Sequence, residues 1–189
     1  MNERHTALRS MHDVGLAAWF GGSLMGAIGL NRAASHAKDP AERSSLASLG
    51  WSKWTPVNAA AIGAHLIGAT GQLLTERKRL AGQAGVGTMS AAKTALTLAA
   101  LGATGYGRAL GKRIENANGT PVKGVTEPSE QTPEEVAMAQ KRLRAIQWAI
   151  PLLTGALVVM TSFAGEQQRP GQVAKGMRSR MKGMLMPGR

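Results

Sequence analysis

Four nearly charge-free runs alternate with stretches dense in charge, and that alternation predicts four helices. The clearest run is Trp54 to Thr75, twenty-two residues without Lys, Arg, Asp or Glu, closed by Lys53 and Glu76. At ~1.5 Å rise per residue it is long enough to cross the ~30 Å hydrocarbon layer of a bilayer. Val14 to Asn31 gives eighteen uncharged residues before Arg32. Gly85 to Gly107 contains Lys93 and is uncharged from Thr94 onward. A lysine near a helix end can snorkel to the interface, so this run also reads as a span. The fourth runs from Ala145 to Gly165. Spans are expected at about 12–32, 54–75, 86–107 and 144–165.

The connections carry their own signals. Asp39-Pro40-Ala41-Glu42 places Asp at an N-cap and Pro at the first helical position, which predicts a short surface helix that Gly50 ends after Leu49. Trp51 and Trp54 then fall where an aromatic belt marks the boundary between water and lipid. Residues 114–131 are rich in Gly, Pro, Asn, Ser and Glu with little to bury, and predict a mobile loop. Thr132-Pro133-Glu134-Glu135 is a capping box that opens a helix into the fourth span, with a kink expected at Pro151.

Polar residues recur at a helical spacing inside these runs. Asn58, His65 and Gln72 stand seven apart, two turns each, and project from one side of the second span. Gln147, Thr154 and Thr161 repeat the spacing in the fourth, as do His12, Trp19 and Gly26 in the first. A polar stripe facing lipid is costly, so these stripes are expected to face other helices. Gly22 and Gly26 form a GxxxG, and Ala95, Ala99 and Ala103 a small-residue ridge; both suit close helix packing. The predicted fold class is all-α, an integral membrane antiparallel four-helix bundle over 1–166, followed by a basic tail over 167–189.

Composition narrows the function classes. The absence of Cys excludes disulfides, thiolate metal sites and a Cys nucleophile. Mean hydropathy is only -0.12, because basic loops and tail offset the apolar runs. The formal net charge is +12, while one Tyr and two Phe supply no stacking platform for single strands. No nucleic-acid partner is therefore expected, and the charge is assigned to an anionic membrane surface. In the tail, Lys175, Arg178, Arg180 and Lys182 have no acidic neighbour, and Met177, Met181 and Met184 share one side if the segment is helical. It reads either as a basic amphipathic segment on anionic lipid or an acidic partner, or as a solvated tail. With Lys93 set aside, Lys and Arg divide equally between the two sides of the membrane. The acid-free tail then favours cytoplasmic termini and a plasma-membrane location.

His65 is the main candidate for chemistry, since an ionisable group at mid-span marks a functional site by default. It is suited to bind haem iron or copper, to relay a proton, or simply to donate a hydrogen bond across the bundle. Centring the first two spans on each other puts His65 level with Gly22, about ten residues or ~15 Å from His12, too far for one metal. There is no HExxH, no P-loop, and no carboxylate within the second or fourth span, so an enzyme is not expected.

From His12 through Trp19 to Gly21 and Gly22 the chain reads H-x6-W-x-G-G at the opening of a membrane helix. This pattern of eleven residues resembles CopD-type copper-resistance proteins and related small helical membrane families. The resemblance implies that His12 is a copper or haem contact. Two functions are carried forward. One is a non-catalytic assembly, scaffold or accessory subunit that binds other membrane subunits or itself; the other is a haem- or metal-binding redox or copper-handling protein centred on His65.

Overall fold

The computed structural model describes residues 6–75, 86–117 and 119–167. The basic tail, with Lys175, Arg178, Arg180, Lys182 and its methionines, lies outside the described residues. The chain is predominantly helical. Helix α1 (Thr6–Met25) passes through a π-helical turn, Gly26–Leu30, into the short α2 (Asn31–Ser35). Helices α3 (Arg43–Thr75), α4 (Val86–Asn116) and α5 (Glu134–Gln167) complete four long rods. Between α4 and α5 a two-stranded antiparallel hairpin pairs β1 (Val122–Gly124) with β2 (Glu127–Pro128).

Two of the expected spans meet the test of length and apolarity for crossing a membrane: Thr6–Ser35 and Glu134–Gly165. Helices α3 and α4 are as long but less apolar. Asn58, His65 and Gln72 dilute one, and the other draws on Ala, Gly and Thr around Lys93 in place of Leu and Ile.

The rods pair as two hairpins, α1 with α3 and α4 with α5, and α1 also packs on α5. Helices α3 and α4 touch only sparsely, which leaves an open side. The segment 36–42 turns the first hairpin. Asp39 Oδ1 accepts the Ala41 N–H at 2.8 Å and the Asp39 carbonyl accepts the Glu42 N–H at 3.1 Å, so the expected cap forms a turn and α3 starts at Arg43.

The expected surface helix ending at Gly50 does not exist as a separate element, because α3 runs straight through Gly50. That glycine is a close-approach position: a Cβ there would lie 2.5 Å from Leu30 Cδ1. Trp51 and Trp54 pack against α1. Their rings cover Gly26 and Gly22, where any Cβ would fall inside the indole. The GxxxG of the first span is therefore filled from within the chain.

Residues expected as a mobile loop fold instead into a cap over the turn of the first hairpin. Arg43 Nη1 donates to the Val122 and Lys123 carbonyls at 3.0 and 2.9 Å, and the Val122 N–H to the Pro40 carbonyl at 3.3 Å. Buried Gln140 donates to the Gly124 and Val125 carbonyls, each at 3.0 Å, while Ser35 Oγ accepts the Val125 N–H at 3.1 Å. Val125 then joins Ala34 and Ala47 in a small core. A second core at the same end joins Leu110 and Ile114 of α4 to Val136 and Ala139 of α5.

Candidate functional site

The residues picked out by seven-residue spacing converge on α1. His12, Trp19 and Gly26 are all buried, as are His65 of α3 and Thr154 of α5. Gln147, Thr161, Asn58 and Gln72 are partly buried along the same inner faces. The close approach of α1 to α3 depends on two glycines. A Cβ on Gly15 would overlap the Ala61 carbonyl and the His65 backbone, and one on Gly68 would overlap the backbone of Leu8 and His12. Neither glycine was singled out by sequence, because each lies in a run already rich in small residues.

Between these two glycine contacts lie His12 and His65, with ring centroids 4.5 Å apart. The expected ~15 Å separation is thus overturned. It came from centring charge-free runs on one another, whereas the register is set by the turn at 36–42: Gly26 meets Trp51, Gly22 meets Trp54, and His12 meets Gly68. Helix α3 begins well before its charge-free run, so His65 slides toward the N-terminal end of α1.

The hydrogen bonds fix the tautomers of both rings. His65 Nδ1 donates to the His12 carbonyl at 3.3 Å, and His12 Nδ1 donates to Asp13 Oδ1 at 2.8 Å. In each neutral ring Nε2 then carries the lone pair. His65 Nε2 is buried with no hydrogen-bond partner among the described residues. Trp19 closes the cluster, its ring centroid 6.1 Å from that of His65, and its Nε1 donates to Thr104 Oγ1 of α4 at 3.1 Å.

Could this cluster hold the groups suggested by sequence? Haem finds no support, because neither of the recesses that flank the pair is lined by His12 or His65. A copper ion is small enough, and imidazole Nε2 lone pairs are suitable donors. The described residues nevertheless bring together no group of three or more His, Cys, Asp or Glu able to hold a metal.

Two recesses flank the pair. Toward the chain ends, Arg9, Asp13, Gln72, Lys93 and Thr161 share with Leu16 and Val158 the lining of a hollow of about 310 Å³. Lys93, expected at an interface, thus lines the same hollow as Asp13. Gln72 Nε2 and Thr161 Oγ1 have no hydrogen-bond partners there among the described residues.

Toward the β-hairpin, the open side between α3 and α4 forms a groove of about 250 Å³ walled by Trp19, Trp51 and Trp54. Its floor is a polar chain of which the seven-residue spacing marks only Gln147. Trp51 Nε1 donates to Asn31 Oδ1 at 2.9 Å, and Asn31 Nδ2 donates to Gln147 Oε1 at 2.8 Å. The π turn makes this possible, since the Asn31 N–H bonds to Gly26 O and the extra residue rotates Asn31 inward. Of the alanine ridge, Ala103 is half-buried, whereas Ala95 and Ala99 are exposed. No known protein family, curated protein or solved structure matches the chain.

Proposed function

We propose that the chain is a multi-pass membrane protein, an antiparallel four-helix bundle that acts without catalysis as an assembly or accessory subunit in the plasma membrane. Its polarity supports the embedding. Ile67, Leu98, Leu152, Val159 and Phe163 are each more than half exposed, while His12, His65, Gln140 and Thr154 are at or below 1%. A water-soluble bundle turns its apolar stripe inward and its polar face out.

The observation that carries the assembly reading is the outer face of α4. Ala95 and Ala99 are exposed there one turn apart beside Leu98, and no helix among the described residues lies over them. Such a ridge lets a partner backbone approach closely, which is how helices associate in lipid. Gly22 and Gly26 serve the fold itself. The test is cross-linking in native membranes followed by purification of the wild type and of Ala95→Leu/Ala99→Leu. The double variant is expected to reach the membrane in normal yield and to lose its cross-linked subunits, or its cross-linked dimer. Unchanged cross-linking contradicts the reading.

A second reading, copper handling, is favoured by the orphaned His65 Nε2 beside the ring of His12. It predicts stoichiometric copper in the purified protein that disappears in His65→Ala. A wild type that retains no copper after equilibration with cuprous ion and desalting contradicts it.

A further inference from the structure

The groove between α3 and α4 has a chemistry that neither the assembly ridge nor the histidine pair uses. Its walls are mainly apolar, with the Trp19, Trp51 and Trp54 rings on one side and Leu143 and Ile150 on another. Along α4 its lining residues are Thr104, Gly105, Gly107, Arg108 and Gly111, one side of two helical turns. At Gly111 a Cβ would meet nothing within 4 Å, so the space beside Arg108 is open. Arg108 is the one charged side chain among the lining residues. Its Nη1 is 4.0 Å from Glu115 Oε2, and Lys112 Nζ reaches the same oxygen at 3.5 Å. Two cations thus share one carboxylate, and the guanidinium retains donors for a second acid.

We propose that this groove binds a single-chain acidic lipid, a long-chain fatty acid whose carboxylate is held by Arg108 and whose chain lies along the tryptophan wall. An Arg guanidinium recognises a carboxylate through two parallel hydrogen bonds, and an apolar trough open to lipid takes the chain without dragging water into the bundle. The proposal rests on the membrane reading, because an aqueous groove of this composition would have no such supply of ligand. Asn58 Oδ1 lies buried in the same groove without a partner among the described residues. A hydrocarbon chain gives it nothing, so Asn58 separates this occupant from a neutral, hydrogen-bonding one.

The test uses the full chain in mild detergent, with tryptophan emission quenched by 9,10-dibromostearic acid and, as control, by its methyl ester. Three of the four tryptophans line the groove, so bound bromine lies against them. The acid is expected to quench saturably, and the ester about tenfold more weakly, as is typical for loss of a charge-assisted hydrogen bond. Arg108→Gln should weaken the acid by a similar factor and Arg108→Lys by less, while Asn58→Leu should leave it unchanged or tighter. Non-saturable quenching, or equal quenching by acid and ester, overturns the proposal. Loss of binding in Asn58→Leu but not in Arg108→Gln overturns it in favour of a neutral ligand. None of these outcomes bears on membrane insertion, which is measured separately in bilayers.

Discussion

Asn31 and Gln147 join the two helical hairpins through a 2.8 Å hydrogen bond between their side-chain amides. Because Asn31 also accepts from Trp51, one residue serves α2, α3 and α5 at once. Asn31→Ala leaves Gln147 Oε1 and Trp51 Nε1 unpaired, and an orphaned buried polar group costs about 1–3 kcal/mol. Thermal unfolding in detergent should show a lower midpoint for Asn31→Ala. Asn31→Leu/Gln147→Leu, with fewer orphans, should recover part of the loss. A midpoint equal to wild type for the single variant contradicts the network.

Gly68 and Gly63 lie on one helix and make opposite predictions. A Cβ at Gly68 meets the backbone of α1, so Gly68→Ala should force the helices apart and cost about 1–3 kcal/mol, as overpacking does. At Gly63 a Cβ meets nothing within 4 Å, and Gly63→Ala should be neutral or stabilising by about 0.5–1 kcal/mol through helix propensity. Denaturation of both variants by the same protocol checks the pair.

Gln140 holds the β-hairpin by two bonds to its carbonyls. Gln140→Ala should speed amide exchange of Val122 and Val125 while leaving exchange in the second half of α5 unchanged. Mass-spectrometric hydrogen exchange resolves the two regions. Uniform acceleration along α5 would show that Gln140 supports the helix and not the hairpin.

The inward stripes were legible because the helical period puts residues seven apart on one side of a helix, and polar residues at that spacing within apolar runs mark the side that packs. His65 was found that way, but its neighbour was not. Which residue faces His65 depends on where the chain turns, and the turn at 36–42 is shorter and earlier than the charge pattern implies. Gly50 illustrates a second ambiguity: a glycine after a short amphipathic stretch reads as a helix stop, yet here it admits Leu30. The β-hairpin was invisible for a different reason. What fixes it is a set of bonds from Arg43, Ser35 and Gln140, each distant in sequence from at least one strand it holds, and composition carries no trace of them.

The central claim is that four helices lie in lipid with their apolar faces outward, including α3 and α4, the less apolar pair. The chain has no cysteine, so a single introduced thiol is a unique probe. Spin labels at Ile67→Cys, Leu98→Cys, Leu152→Cys and Phe163→Cys, in protein reconstituted into bilayers, report relaxation by oxygen or by a water-soluble nickel chelate. The account predicts oxygen-dominated relaxation at all four sites. Chelate-dominated relaxation at Ile67 and Leu98 would contradict it, placing α3 and α4 in water and leaving only two helices to cross the membrane.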